Sequence, residues 1–285
     1  MRAATRSSPL ARRQTELVAA RLGGVVQPVF VDTLGDRTQA ANTPLHRIGG
    51  QGVFVKEVQA AVLEGRADFA VHSAKDLPSR ATPGLVIAAF PLRGDHRDAL
   101  VGSTLAALPP EARVASGSVR RRAQLAAVRP DIRFFELRGN MQTRVEKAAD
   151  FDAIVAGVAG LTHIWLDAHI AEWLDSAMML PQVGQGALAV ECRVDDLATM
   201  ERLALIDNRE VRRCVEQERA FLATLGSGCD LPVAALAVVD RHGELSIEGL
   251  IASLDGSTVV RGTGTDGGAL AEQLLAGGGR RLLAR

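Results

Sequence analysis

The sequence predicts an α/β protein built from three parts. Short β-branched runs alternate with helical patterns up to about residue 92 and again over 113–160, which is typical of β-α-β units. Two turn-rich stretches, 93–98 and 180–186, have the composition of crossings, that is, of segments in which the chain passes from one of these two parts to the other. After residue 232 come three strand patterns and one helix, which predict a small α+β unit.

Bulk composition disfavours several classes of partner. With 285 residues, 47% of them hydrophobic and 23% charged, the chain is an ordinary globular protein of two or three domains. Its 33 basic residues balance 33 acidic ones, so no global field attracts nucleic acid or an anionic membrane. The lack of tyrosine and an aromatic content of 4% disfavour stacking of nucleic-acid bases.

Cysteine usage and the N-terminal residues favour the cytoplasm. Cysteines at 192, 214 and 229 do not make a disulfide framework, and their odd number is typical of a reducing compartment. No apolar region follows the N-terminal arginines, and no window approaches the ~18 apolar residues of a membrane span. We therefore expect a cytoplasmic protein without a membrane partner.

The first alternating part begins with a short strand and a helix over 9–22, which Ser7 or Ser8 can cap and Pro9 can open. A strand is predicted over 25–31, and a glycine-punctuated loop then runs to residue 52. That loop is either mobile or close to a ligand, or else a plain flexible connection. A helix over 53–64 and a strand over 68–71 follow.

The strand over 68–71 runs directly into His72-Ser-Ala-Lys-Asp-Leu-Pro78. Ser73, Lys75 and Asp76 thus lie at the carboxyl end of a strand, which is the edge of an open α/β sheet where ligands bind. A surface pair of Lys75 and Asp76, of little energetic value, is the alternative. A strand over 85–90 completes this part.

The second part repeats the strand-to-helix design. Ser116-Gly-Ser118 opens a helix that runs to about residue 128, and its free N–H groups favour an anion. Arg120 and Arg121 stand in its first turn, where cations oppose the helix dipole, so a bound anion is the best explanation. A solvated basic face is the alternative. A strand over 132–137 leads to Arg138, with Arg144 beyond it, and a strand over 151–156 leads to glycines.

The last part begins after the crossing that contains Gln185, a strand over 187–192 and helices over 195–206 and 209–225. A loop then holds Cys229 between glycine and proline, where a thiol can carry a covalent group; a buried apolar thiol is the alternative reading. Cys192 and Cys214 are expected to be packing residues. Strands over 233–239, 244–254 and 258–264 precede a helix over 268–275.

The polar positions together predict a site for a ligand with several carboxylates. Five arginines at loop or helix-start positions suit carboxylates, which guanidinium groups bind through paired hydrogen bonds. Phosphate would fit as well, but the chain has no Walker loop or dinucleotide fingerprint. The histidines and cysteines show no zinc-type spacing, so no metal is expected. From these residues alone the reaction stays open.

Five motifs in order closely resemble the porphobilinogen deaminase (hydroxymethylbilane synthase) family across essentially the whole chain. They are His72-Ser-Ala-Lys-Asp-Leu-Pro78, Ser118-Val-Arg-Arg121, Leu137-Arg-Gly-Asn140, Val183-Gly-Gln-Gly186 and Gly228-Cys-Asp-Leu-Pro232. The resemblance implies two doubly wound lobes like those of type-2 periplasmic binding proteins, with a small α+β C-terminal domain. The implied domains are 1–92 with 187–206, then 96–182, then 209–285.

The resemblance also implies the activity. Family members are transferases that join four porphobilinogen molecules head to tail, release ammonia, and yield hydroxymethylbilane for tetrapyrrole and haem biosynthesis. They act as monomers on this small molecule, without nucleic acid. The chain grows on a dipyrromethane cofactor, whose thioether maps to Cys229, and the catalytic aspartate maps to Asp76. Residues expected to hold the cofactor are Ser73, Lys75, Ser116, Ser118, Arg120, Arg121, Arg138 and Gln185; those expected to hold substrate are Arg6, Ser8, Arg138 and Arg144.

The chain departs from the family pattern at three positions. Gly117 stands where the family usually has a serine, and Leu34 and Gln51 stand where basic residues are common. These changes weaken substrate affinity or translocation rather than the chemistry. Two rival functions remain, a reversible carboxylate receptor built on the same lobes and nucleic-acid binding through Arg120, Arg121 and Arg122. Neither requires Asp76 or Cys229.

Overall fold

The computed structural model describes residues 1–33, 55–226 and 231–283. Four expectations from the sequence fall outside these ranges: the thiol of Cys229, the departures at Leu34 and Gln51, and the glycine-rich loop over 42–52.

The first lobe is a five-stranded sheet with flanking helices. Its strands are β1 (Arg2–Arg6), β2 (Gln27–Val31), β3 (Phe69–Ser73), β4 (Leu85–Ala89) and β10 (Leu188–Arg193), and its helices are α1 (Pro9–Leu22), α2 (Lys56–Leu63) and α6 (Leu197–Ala204). The strand order is β2-β1-β3-β10-β4. β1 is parallel to β2 and β3, whereas β10 is antiparallel to both of its neighbours. β10 therefore enters the sheet in the opposite direction, because the chain returns to it from the second lobe.

Local sequence signals account for the start of this lobe. The Oγ of Ser8 accepts a hydrogen bond from the N–H of Ala11, and Pro9 occupies the first helical position of α1. α1 ends at Gly23, whose φ of 65° is left-handed. The predicted cap and helix are thus both confirmed, and they fix where α1 begins beside the end of β1.

The second lobe has the same plan. Its strands are β5 (Asp98–Val101), β6 (Arg113–Ala115), β7 (Arg133–Phe135), β8 (Ala153–Gly157) and β9 (Ile170–Leu174), and its helices are α3 (Val119–Val128), α4 (Met141–Glu146) and α5 (Val158–His163). The order is β7-β6-β8-β5-β9. The alternation of strands and helices predicted a parallel sheet, and this is wrong for β5, which is antiparallel to β8 and β9. β5 arrives directly from the first lobe and so runs against the strands of the β-α-β units.

The third part is a helix-covered antiparallel sheet. It consists of α7 (Arg209–Thr224), β11 (Val233–Val239), β12 (Leu245–Ala252), β13 (Val259–Gly264), α8 (Gly267–Leu274) and α9 (Arg280–Leu283). Phe221 of α7 lies over Gly249 of β12, where a Cβ would stand 2.6 Å from the ring, so glycine is required for this contact. The expected two α/β lobes and small α+β domain are confirmed. Within the described residues, the helices are all too short or too polar to cross a bilayer.

A buried carboxylate joins both crossings to the third part. Glu218 of α7 is fully buried, and its Oε1 lies 2.7 Å from Nη1 of Arg93 on the first crossing. Its Oε2 accepts from the N–H of Gly184 on the second crossing at 2.7 Å. The N–H of Ala237 in β11 donates to Oε1 at 2.9 Å. One side chain therefore holds the two inter-lobe segments and the third domain at a common point.

Replacing Glu218 with alanine is expected to lower the free energy of unfolding by ~3–5 kcal/mol, because it leaves the guanidinium of Arg93 buried without its partner. Urea denaturation of the Glu218→Ala protein measures this. Glu216→Ala is the matched control on the same helix: its carboxylate is exposed and pairs with Arg212, so the loss should stay below ~1 kcal/mol. Equal losses for the two variants would contradict the role given to Glu218.

Candidate active site

Two small cavities lie at the carboxyl ends of β1 and β3, on the side where the lobes face one another. The first, of about 60 Å³, is lined by first-lobe residues that include Arg6, Ser8, Ser73 and Asp76. The second, of about 40 Å³, is lined from both lobes and from the second crossing: Gln14, Ser73, Lys75, Gly160, His163 and Gln185 are among its residues. The strand-end positions predicted from the sequence therefore do converge on one cleft.

The turn after β3 carries the candidate catalytic group. Ala74–Asp76 forms one turn of 3₁₀ helix, and the Oγ of Ser73 exchanges hydrogen bonds with the amide of Gln14 at 2.9 and 3.2 Å. Asp76 is half-buried, and its carboxylate makes no hydrogen bond or salt bridge within the described ranges. A carboxylate at a cavity wall whose oxygens are not engaged by neighbouring residues can bind ligand N–H groups.

Lys75 is the cation closest in sequence to that carboxylate. Its pKa is lowered to about 8, first by burial and then by the positive charge of Arg121, while Asp76 and Asp98 oppose the shift. Its ammonium has no hydrogen-bond or salt-bridge partner in the part of the chain that the structure describes. A ligand carboxylate in the inter-lobe cavity would fill that need and raise the pKa again.

Arg120 and Arg121 bind a carboxylate of the chain itself. An Nη of Arg120 lies 2.8 Å from Oδ2 of Asp98, and an Nη of Arg121 lies 2.8 Å from Oδ1. Burial alone would raise the pKa of Asp98, but these two charges outweigh it and hold the pKa at about 2. Asp98 is thus one anion at the start of α3, and it balances one of the two positive charges. That the same guanidinium groups also hold a cofactor carboxylate stays a prediction.

Both arginines also donate hydrogen bonds to backbone carbonyl oxygens. Nη1 of Arg120 donates to the oxygen of Leu180 at 2.7 Å, and Nη1 of Arg121 donates to the oxygen of Val155 at 3.0 Å. The exposed fractions are 3% for Arg120 and 7% for Arg121, so neither is a solvated basic face. They place a net positive charge behind the cleft instead of lining the two cavities.

The hydroxyl groups of the two serines beside Gly117 accept hydrogen bonds from backbone N–H groups at the start of α3. The Oγ of Ser118 caps α3 by accepting from the N–H of Arg121, and the Oγ of Ser116 accepts from the N–H of Ser118 at 3.2 Å. A Cβ at Gly117 would stand 3.0 Å from the carbonyl oxygen of Leu137. Glycine thus allows a close approach here, which gives the departure at this position a structural reason.

Arg144 marks the place where the predicted residues meet. Its pKa is lowered to about 10 by burial and by the charges of Arg121 and Arg138, whereas Asp76 raises it. Its Nε donates to the carbonyl oxygen of Gly139 at 2.8 Å, which fixes the guanidinium beside the end of β7. Arg138 is 8% exposed, and its pKa is likewise lowered by burial. These cations repel one another, so an anion among them would be stabilised.

Gln185 links the crossing to the site. Its Nε2 donates to the carbonyl oxygen of His96 at 2.8 Å and to Oδ1 of Asp98 at 2.9 Å. Its Oε1 is buried and has no hydrogen-bond partner in the described structure. Because the residue lines the inter-lobe cavity, this oxygen is an acceptor for a ligand N–H.

Sequence reasoning missed three polar residues of the site. Asp98 lies in the stretch 93–98 that the sequence predicts as a crossing, and Gln14 lies within the predicted helix over 9–22. His163 belongs to no motif. Nδ1 of His163 is buried without a hydrogen-bond partner among residues 1–33, 55–226 and 231–283. The uncompensated arginines at the start of α3 were the one signal that could have led to Asp98. Within the described residues no cluster of metal-ligating side chains occurs.

Family models match most of the chain. The model described as "Porphobilinogen deaminase, dipyromethane cofactor binding domain" matches residues 1–201, and the model described as "Porphobilinogen deaminase, C-terminal domain" matches residues 212–277. The second match begins close to the start of α7, and the first covers both lobes.

Curated relatives carry the same name. A porphobilinogen deaminase of Roseiflexus sp. (strain RS-1) is 45% identical over 297 residues, covering 98% of this chain and 97% of the relative. One of Brevibacillus brevis is 41% identical over 296 residues, covering 98% and 95%. Among solved structures, a Salmonella typhimurium periplasmic binding protein with high arginine specificity aligns at a TM-score of 0.40 and 11% identity, covering 74% of this chain and 95% of that one. That likeness is too distant to bear on the site.

In the Cys229→Ser protein, which lacks the expected cofactor anchor, Lys75 is expected to lose its charge near pH 8, well below the ordinary lysine value of ~10.4. Reductive ¹³C-methylation followed by NMR at increasing pH measures this, because Lys56, Lys75 and Lys147 are the chain's lysines and their signals are few. Lys75→Arg identifies the signal by removing it. A Lys75 signal with an ordinary midpoint would contradict the burial and the charge repulsion described above.

Proposed function

The chain belongs to the porphobilinogen deaminase family, and on that premise we propose that Asp76 is its catalytic residue and Cys229 its cofactor anchor. The protein is a transferase that joins four porphobilinogen molecules head to tail, releases ammonia at each addition, and yields hydroxymethylbilane for tetrapyrrole and haem biosynthesis. Its cofactor is dipyrromethane. The main support for Asp76 is that its carboxylate lies at a strand end, in a cavity wall, with its oxygens unengaged by neighbours.

The residues of the inter-lobe cavity fit dipyrromethane. Pyrrole N–H groups need acceptors, and the orphaned Oε1 of Gln185 is one. The carboxylate side chains of the cofactor need cations, and the ammonium of Lys75 in the same cavity is one. When bound, the cofactor supplies the nucleophilic pyrrole carbon on which the chain grows.

Binding of carboxylates is divided among the remaining residues. We assign the cofactor to Ser73, Lys75 and Gln185, which line the inter-lobe cavity, together with Arg138. We assign the acetate and propionate of incoming porphobilinogen to Arg6 and Ser8, which line the first cavity, together with Arg138 and Arg144. Ser116 and Ser118, at the start of α3, are also assigned to the cofactor. Arg120 and Arg121 are assigned to it as well, because their pair with Asp98 leaves one positive charge uncompensated.

Asp76 acts on the pyrrole nitrogen and on the proton that each addition releases. As the bond between the aminomethyl carbon and ammonia breaks, positive charge develops on the ring of porphobilinogen. The carboxylate of Asp76 accepts a hydrogen bond from the pyrrole N–H and stabilises the positive charge on the ring. After the carbon–carbon bond forms, the same carboxylate takes the proton lost from the ring carbon, which is general base catalysis.

We also propose that the protein works as a cytoplasmic monomer on this small molecule, without nucleic acid. Cys192 and Cys214 are both buried free thiols, as a reducing compartment allows. The formal net charge of zero disfavours binding of a nucleic acid. Residues 1–92 with 187–206, 96–182 and 209–285 are proposed as the three domains.

Replacing Asp76 with asparagine is expected to lower kcat by ~10²–10⁴-fold with little change in KM, because asparagine keeps the shape of the turn and loses the base. Steady-state assay of bilane formation measures both constants. Asp68→Asn, which alters a carboxylate paired with Arg2 outside the cleft, is the control and should leave kcat within twofold. Near-normal turnover by the Asp76 variant would show that the assignment is wrong.

Intact mass spectrometry tests the anchor. The wild-type protein is expected to carry a covalent adduct of two pyrrole units, and the Cys229→Ser protein is expected to have the unmodified mass and to make no bilane. The matched control is Cys214→Ala: this thiol is buried in the third-domain core, its pKa is raised by burial, and the adduct should persist. Active wild-type protein of unmodified mass would contradict the proposal for Cys229.

A further inference from the structure

A buried carboxylate lies behind the catalytic turn and has no part in the chemistry described above. Glu191 of β10 and His72 of β3 each have a side chain that is 4% exposed, with Oε2 of the first 3.2 Å from Nε2 of the second. Nε2 of Gln59 on α2 donates to the same oxygen at 2.8 Å. The hydroxyl of Thr82 donates to Oε1 of Gln59 at 3.1 Å, which orients the Gln59 amide so that its NH₂ faces Glu191.

A charge in this place opposes the stability of the lobe. Burying a carboxylate costs several kcal/mol, and an apolar side chain of similar size is often neutral or stabilising in such a position. Glu191 is nevertheless held ionised: burial raises its pKa, but His72, Gln59 and the charge of Arg219 together lower it below the ordinary value. A role in placing neighbouring segments explains why a charged group is there.

Direct and bridged contacts connect Glu191 to residues on both sides of the segment that carries Lys75 and Asp76. His72 precedes that segment directly. On its other side, Arg219 of α7 donates from Nη2 to the carbonyl oxygens of Pro78 and Ser79, at 2.6 and 3.3 Å. Gln59 donates to the Glu191 carboxylate and accepts from Thr82, so hydrogen bonds also lead from Glu191 to a residue beyond the segment.

Other contacts hold the residues that precede Asp76. On the opposite face of β3, the Oγ of Ser73 bonds with Gln14, and the N–H of Ala74 donates to the carbonyl oxygen of Ala187 at 2.9 Å. The carbonyl oxygen of Lys75 accepts from the amide of Gln182 at 3.3 Å. The position of the Asp76 side chain thus follows from how rigidly residues 72–79 are held.

We propose that Glu191, His72 and Gln59 form a positioning clamp that sets the place of the Asp76 carboxylate against the reacting pyrrole. The clamp rests on the proposed catalytic role of Asp76, and its members are positioning residues rather than catalytic ones. A misplacement of ~1 Å in a reacting group can cost ~10²-fold in rate, so loosening the clamp acts on turnover. Recognition of carboxylates by Lys75 and the arginines does not depend on it.

Glu191→Gln is the test, because the amide matches the carboxylate in shape and lacks its charge. On protein with the adduct attached, we expect kcat per loaded site to fall about tenfold and KM to change by less than twofold. The adduct mass should be unchanged. Thr199→Ala is the matched control: its hydroxyl is buried in the same lobe and bonds with Asp196 far from the turn, so it should lower stability without changing kcat.

A lower midpoint of urea unfolding together with an unchanged kcat per loaded site would show that Glu191 is merely structural, and the proposal would be wrong. If Glu191→Gln does not fold, Gln59→Leu removes the orienting hydrogen bond and leaves the charges. It should lower kcat about threefold at constant KM, and an unchanged kcat again contradicts the clamp. A wild-type protein without an adduct contradicts the role of Cys229, whereas a loaded wild type with an unaffected variant contradicts the clamp alone.

Discussion

The geometry of the cleft depends on the contacts of Glu218. Because Arg93 of one crossing and Gly184 of the other bind the same carboxylate, the spacing of the crossings is set by a helix of the third domain. Nε of Arg93 also donates to the carbonyl oxygen of Gln185, whose side chain reaches Asp98 at the start of β5. A continuous polar network therefore runs from the third domain, through both crossings, to the arginines of α3. The lobes face each other as they do because this network fixes where each begins.

Each of the three parts contains a buried carboxylate next to a functional segment. Glu191 lies behind the catalytic turn, Asp98 behind the start of α3, and Glu218 at the crossings. Each is surrounded by arginine, histidine or backbone donors, so its charge is compensated, although the burial contributes little net stability. These carboxylates determine how the neighbouring groups are oriented, because a carboxylate with two or three fixed donors allows one arrangement of its neighbours. The fold thus uses internal anions to hold segments in place around the cleft.

The sequence could predict what depends on local chemistry. Ser8 and Pro9 predict the start of α1, because they supply its cap and its first turn. The polar residues after β3 predict a site at the end of that strand. Pairings between distant segments could not be predicted from the sequence. No local pattern distinguishes Asp98 from a surface aspartate, and none shows that β5 runs antiparallel to its neighbours. The arginines at the start of α3 indicate a compensating anion, but that Asp98 supplies one negative charge there is visible only in the tertiary structure. The role of Cys229 followed from the resemblance and not from its neighbours.

The pair formed with Asp98 changes how the cleft handles charge. Three groups, Arg120, Arg121 and Asp98, together carry one positive charge, and its field reaches Lys75, whose pKa it helps to lower. A carboxylate that binds Lys75 reverses that shift, so binding near pH 8 takes up a proton. Arginine in the same place would stay charged and would bind without this linkage. The placement of a lysine at the turn, among arginines elsewhere in the cleft, therefore couples the binding of an acidic chain to protonation at the position next to Asp76.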